Sequence, residues 1–230
     1  MNHRSERFGP LLVLIIATYA VVIAFGSTRA AGAIRLVMLA LVLAAAIRIR
    51  GAGGRWITVS VAGGVVAIAA GAVALVHGSD RLSVTLVSAA VLLLVIAAIL
   101  AILVQLWHRP VVDAHTVAGA LSVYLLLALL FAALHQLFAA LLGLPYLNGV
   151  STVVDAAKYL YFSVITLSTV GYGDISPASN AARAVAMSEA LVGQLYLVAV
   201  VGTVVGNLAG TRRQAADSPA GDEAGTRVRG

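Results

Sequence analysis

The stretch Asp155-Ala156-Ala157-Lys158-Tyr159-Leu160-Tyr161-Phe162-Ser163-Val164-Ile165-Thr166-Leu167-Ser168-Thr169-Val170-Gly171-Tyr172-Gly173-Asp174 decides how the rest of the chain is read. Asp155 to Thr166 reads as a short helix, too polar at its flanks and too short to cross a bilayer alone, since crossing takes roughly 20 apolar residues for about 30 Å of hydrocarbon. Ser151 and Thr152 offer N-caps, and Asp155 stands three residues after Thr152 as in a capping box. A turn region from Gly143 to Gly149, containing Pro145, precedes the helix, and a loop through Pro177 follows Asp174. Long apolar runs flank the whole segment, from about Val117 to Leu142 and from about Ala184 to Ala209. A short helix plus an irregular loop between two spans is a re-entrant arrangement. Non-helical backbone is tolerated at that depth only where protein buries it or it lines a water-filled path.

Composition agrees with a membrane setting. The 230 residues are 61% hydrophobic and 10% charged, with a mean hydropathy of +1.03. Soluble domains are roughly 45–50% apolar and about 25% charged. Four more apolar runs precede Pro110: about Pro10 to Phe25, Ala30 to Ile49, Ile57 to His77 and Leu82 to Trp107. The second is interrupted by Arg35, and it spans only if Arg35 and Arg48 snorkel to opposite interfaces. The first, behind Arg4 and Arg7, resembles a secretory signal, yet further spans follow at once and a retained helix is expected. The net charge of +6 comes from Arg residues set singly or in pairs at the ends of apolar runs, as topology signals are, and not from a nucleic-acid-binding patch. With no cysteine, disulfides, thiolate metal sites and cysteine nucleophiles are excluded.

With six spans and both termini cytoplasmic, the inner side carries Arg4, Arg7, Arg48, Arg50, Arg55, Arg109, Arg212, Arg213, Arg227 and Arg229. The outer side carries Arg29, Arg35, Arg81, Lys158 and Arg183, so ten basic residues lie inside against five outside. That bias obeys the positive-inside rule and puts the re-entrant loop at the outer face. The tail from Thr211 to Gly230 mixes Ala, Gly, Asp, Glu and Arg without periodicity and is expected to be disordered, too short for a folded ligand-binding domain.

Thr166-Leu167-Ser168-Thr169-Val170-Gly171-Tyr172-Gly173-Asp174 resembles the signature of the potassium channel family. The resemblance covers roughly Ala114 to Gly210, the two-span pore module. It implies that the backbone carbonyls of Thr169, Val170, Gly171 and Tyr172, with the Thr169 hydroxyl, form a potassium-selective filter together with Gly173. The Val170 and Tyr172 side chains would pack away from the pore. The chemistry suits the residue types: a dehydrated cation needs a cage of oxygens, and carbonyls facing one way need the permissive backbone of Gly171 and Gly173. The helix end near Thr166 and Leu167 would turn its negative dipole end toward the ion.

Around that filter, Asp174, Thr166, Tyr161, Phe162 and Glu189 are the expected supports. Tyr159, Tyr161 and Phe162 read either as a collar bracing the filter or as interfacial aromatics. Glu189, an ionisable residue within a span, either hydrogen-bonds behind the filter or faces the cavity. Gly193 stands where the family carries a hinge glycine, and it serves bending or close packing equally well. Glu189 to Tyr196 also resembles a pattern in bacterial channels with two-span pores. Gly202 and Gly206 form a GxxxG pair suited to a close helix crossing. Some channels place a Glu nine residues before the filter Asp; here that position is Ile165, so that coupling is absent.

The four preceding spans lack the marks of a voltage sensor. Leu82 to Trp107 holds no Lys or Arg, and Arg81 only stands at its start. Each charge crossing 100 mV contributes about 2.3 kcal/mol, so a sensor needs several. His77, His108, His115 and His135 read as interfacial residues near span ends.

The expected fold is therefore an all-α polytopic membrane protein with six transmembrane helices, one re-entrant pore helix and a filter loop, assembled as a homotetramer. Residues 1–110 are a four-span N-terminal domain, 111–210 the pore domain and 211–230 a cytoplasmic tail. The expected activity is passive K+ conduction in the cell membrane, with lipids and further copies of the chain as partners. No cofactor beyond permeant K+ is expected, and no nucleophile–base pair, metal cluster or phosphate loop suggests an enzyme. A non-conducting scaffold or regulatory subunit, a less selective cation channel and a transporter with four loop modules are the rivals.

Overall fold

The computed structural model of the chain describes residues 8–26, 31–50, 54–77, 81–107, 114–143, 145–151 and 153–216. Helices stand at each place where an apolar run was read: α1 (Phe8–Phe25), α2 (Ala31–Arg50), α3 (Gly54–His77), α4 (Arg81–Trp107) and α5 (Ala114–Leu142). A two-residue strand β1 (Leu147–Asn148), the short helix α6 (Ala156–Leu167), a second two-residue strand β2 (Ser176–Pro177) and α7 (Asn180–Ala216) complete the order. Among the described residues α1, α4, α5 and α7 are long and apolar enough to cross a membrane. The chain is thus a helical, multi-pass membrane protein.

The helix α4 is the hub of the N-terminal part and packs against α2, α3 and α5. Its buried residues Val87, Val91, Leu94, Val95, Ala98 and Ile102 recur at the spacing of helix turns and join one continuous core with Leu36, Leu39 and Leu43 of α2 and Val123 and Leu126 of α5. The helix α1 lies against α2, α5 and α6, so it reaches the short helix directly. By contrast α7 touches α5, α6 and β2, leaving Met187, Leu191, Leu195 and Val198 as an exposed apolar stripe.

Three sequence readings change. Arg35 does not snorkel: it is buried on α2, and its Nη1 donates to Gln136 Oε1 at 3.1 Å. A polar acceptor on a neighbouring helix holds the guanidinium inside, so the interface has no claim on it. Arg48 is exposed. His135 is not interfacial but completely buried on α5; the side chains of His77, His108 and His115 lie outside the described residues. The last helix runs on to Ala216, past the expected start of the tail at Thr211, and residues 217–230 lie outside the described residues.

Candidate functional site: the loop after α6

Asp155 is itself the N-cap of α6, its Oδ1 accepting the Lys158 N–H at 3.4 Å, while Thr152 lies outside the described residues. The helix is 12 residues long, about 18 Å at 1.5 Å per residue. Ser168 ends it, turning both its N–H (3.0 Å) and its hydroxyl (2.6 Å) onto the Val164 carbonyl. The chain then doubles back. Thr169 N–H donates to the Thr166 carbonyl at 3.0 Å, and the Val170 and Gly171 N–H groups donate to the Ile165 carbonyl at 2.9 and 3.1 Å. These bonds turn the loop's donors back onto the end of the helix.

The backbone alternates in handedness through this loop. Thr169 (φ 61°), Gly171 (φ 53°) and Gly173 (φ 85°) are left-handed, whereas Val170 and Tyr172 between them are not. Alternation of this kind lets successive carbonyls face the same way, which an ordinary strand cannot do. Gly171 and Gly173 adopt such angles without penalty. A β-branched residue does not, so Thr169 is a strained position held by its surroundings. Residues 169–174 are all exposed in the single chain.

The outer end of the loop is tied down by backbone. The strands β1 and β2 pair antiparallel, Leu147 opposite Pro177 and Asn148 opposite Ser176, and Ala178 N–H donates to the Tyr146 carbonyl at 3.0 Å. Gly149 (φ 83°) passes so close that a Cβ there would lie 2.7 Å from the Asp174 carbonyl oxygen. Lys158 Nζ donates to the Gly149 carbonyl at 3.2 Å, joining this clamp to α6. By Asp174 the chain has returned to the side on which α6 began.

Behind the loop lies a buried polar network. Glu189, on α7, is fully buried and accepts from the Ser163 hydroxyl of α6. Its other oxygen is 3.1 Å from His135 Nε2, and His135 Nδ1 is 3.1 Å from the Tyr146 hydroxyl. With the hydrogen on Nε2 the imidazole donates to Glu189 and accepts from the Tyr146 hydroxyl; with it on Nδ1 the bond to Glu189 requires a protonated carboxyl. Phe162, also buried, sets its ring edge-on to His135 at a centroid distance of 5.1 Å. Glu189 thus sits between α6 and α5, bonded to Ser163 and His135. Sequence reasoning missed His135 as its partner.

Gly193 packs tightly. A Cβ there would fall 2.3 Å from the Leu167 carbonyl oxygen, at the end of α6. That same oxygen accepts the Tyr124 hydroxyl of α5 at 3.2 Å, and Tyr124 stacks on Tyr196 of α7 with centroids 5.8 Å apart. Of the expected collar, Tyr159 and Phe162 are buried, whereas Tyr161 is partly exposed and lies within electrostatic reach of Asp174. Ile165 is buried and offers no carboxyl to Asp174. Gly202 meets open space in the single chain, and the surroundings of Gly206 lie outside the described residues.

A family model described as "Ion channel" matches residues 119–209, from α5 through the loop to α7. Over 68 residues, 30% of this chain, the sequence is 43% identical to two pore potassium channel b of Oryza sativa subsp. japonica. Over 85 residues, 37% of this chain, it is 35% identical to two pore potassium channel c of the same plant. The matches cover 18% and 17% of those two proteins, so the chain spans under a fifth of the length of these relatives. No solved structure matches it significantly. Residues 119–209 thus resemble an ion-channel module, and these similarities are to membrane channels, not to enzymes.

Proposed function

We propose that this chain is one subunit of a homotetrameric, potassium-selective channel that conducts K+ passively across the cell membrane, with both termini cytoplasmic. The observation that carries the reading is the loop 169–174, whose backbone alternates in handedness and whose residues are all exposed in the single chain. Non-helical backbone at membrane depth cannot face lipid, so it must line a wet path or be covered by protein. Four copies set around an axis answer both needs, because each supplies one wall of an oxygen cage. The apolar stripe Met187, Leu191, Leu195 and Val198 on α7 flanks that path or meets the next copy.

In this reading the Thr169, Val170, Gly171 and Tyr172 carbonyls replace the hydration shell of K+, and Gly173 and Asp174 shape the outer mouth. Thr166, Tyr161, Phe162 and Glu189 support the filter from behind. The negative end of α6 favours a cation below it. All six long helices cross, α2 and α3 included, and lipid surrounds the outer helices. The similarity to plant potassium channels supports the choice of ion.

The test is ion flux from purified protein in liposomes. Barium-sensitive K+ flux exceeding Na+ flux, and lost in Gly171→Asp, is the expected result. Verified tetramers that pass neither ion across a range of voltage, pH and lipid would sink the reading in favour of a non-conducting subunit.

A further inference from the structure

The residue next to His135 on α5 joins the pore segment to the N-terminal helices. Gln136 is buried, and its carboxamide is in use at both ends. Nε2 donates to the Val153 carbonyl at 2.8 Å, three residues before α6 begins. Oε1 accepts from Arg35 Nη1 of α2 at 3.1 Å and from the Ser88 hydroxyl of α4 at 3.4 Å. Each atom plays the role its chemistry allows, two donors meeting the carbonyl oxygen and the amide meeting a carbonyl.

A second tie reaches the same place. The N–H of Ala156, the first residue of α6, is shared between the Val154 carbonyl (2.8 Å) and the Gly26 carbonyl at the end of α1 (3.3 Å). Three N-terminal helices therefore converge on residues 153–156, α1 directly and α2 and α4 through Gln136. Arg35 is notable on its own account. It is 6% exposed, its Nε has no partner among the described residues, and no described carboxylate pairs with it. A cation kept inside a membrane bundle marks a place where something is held.

We propose that Gln136, clamped by Arg35 and Ser88, is the positioning residue that sets the start of the pore helix. The N-terminal helices then act on ion selectivity by bracing the filter's support. This rests on the filter reading above. The lever is mechanical: α6 is a short rigid rod whose far end carries the Ile165 carbonyl that holds the Val170 and Gly171 amides, and the Leu167 carbonyl against Gly193. A shift at Val153 reaches the filter through the short turn at 154–155 and the rod of α6.

The test uses the full chain in two variants. Gln136→Leu removes every bond at this point. Gln136→Glu keeps the size and the acceptors for Arg35 and Ser88 but cannot donate to Val153 when ionised. Both are expected to lower the K+ to Na+ flux ratio by roughly fivefold or more, and to speed hydrogen exchange of the amides of residues 156–160 roughly tenfold, the scale of one lost buried hydrogen bond. Ser88→Ala, which removes only the longer of the two bonds to Oε1, is expected to shift both readouts in the same direction by about twofold.

Wild-type ratio or wild-type exchange in folded Gln136→Glu overturns the proposal. If Gln136→Leu fails to fold, the isosteric variant carries the test. If the wild-type chain itself passes no K+, the filter reading fails, and the exchange rates alone judge the brace.

Discussion

Replacing Gly193 by alanine separates two roles for that glycine. A carbon built on Gly193 would lie 2.3 Å from the Leu167 carbonyl oxygen and 2.9 Å from Leu167 Cδ1. Carbon and oxygen rest near 3.3 Å at their closest favourable approach, so α6 and α7 must part by about 1 Å here. The struck atom is backbone at a helix end, which cannot swing aside as a side chain does. Overpacking of this kind costs about 1–3 kcal/mol. Against it, alanine is favoured over glycine in a helix interior by about 1 kcal/mol. The expected net effect is a loss of about 0–2 kcal/mol. Gly64, on α3, has nothing within 4 Å of its Cβ position, so Gly64→Ala keeps only the gain. The difference between the two variants then isolates the clash at about 1–3 kcal/mol. Unfolding of each variant in mixed micelles by a denaturing detergent gives that difference. Equal stability of the two would refute the packing argument and leave Gly193 to act as a hinge.

Three further outcomes follow from the same geometry. Glu189→Leu strands the Ser163 hydroxyl and His135 Nε2 in the core, and stability is expected to fall by about 1–3 kcal/mol per orphaned group; micelle unfolding that shows no loss contradicts the network. Gly149→Ala forces an L-residue to φ 83° and a carbon to 2.7 Å from the Asp174 carbonyl oxygen, so barium affinity at the outer mouth should weaken, and an unchanged affinity argues against the clamp. Conductance should rise only shallowly with voltage, because α4 contains no Lys or Arg beyond Arg81; a steep charge–voltage relation that survives neutralising Arg81 would sink this expectation.

The helices were legible in the sequence because apolar length alone marks them, and α6 stood out because it was capped and too short to cross. The loop was legible because Gly171 and Gly173 alternate with side-chain-bearing residues. Less legible were the ties between helices. His135 was readable only by its place: with Ala128, Phe131, Ala132 and Ala139, all buried, it falls on the inward face of α5. Gln136 carried no local signal, and Arg35 showed only as a charge within an apolar run, because the two partners are 101 positions apart in sequence. The pairing of β1 with β2 is two residues long on each side, too brief for any alternation to show.

The bond between the Gly26 carbonyl and the Ala156 N–H bears on how the protein is built during synthesis. The ribosome releases α1 well before α6, and between them come four helices that find partners among their neighbours. The helix α6 cannot finish its first turn against α1 until all of those have been laid down and α5 has docked. Contacts this distant in sequence close late, because a long loop must be ordered before they add anything. The start of α6 is thus among the last things to set, on a platform already assembled by the helices made before it.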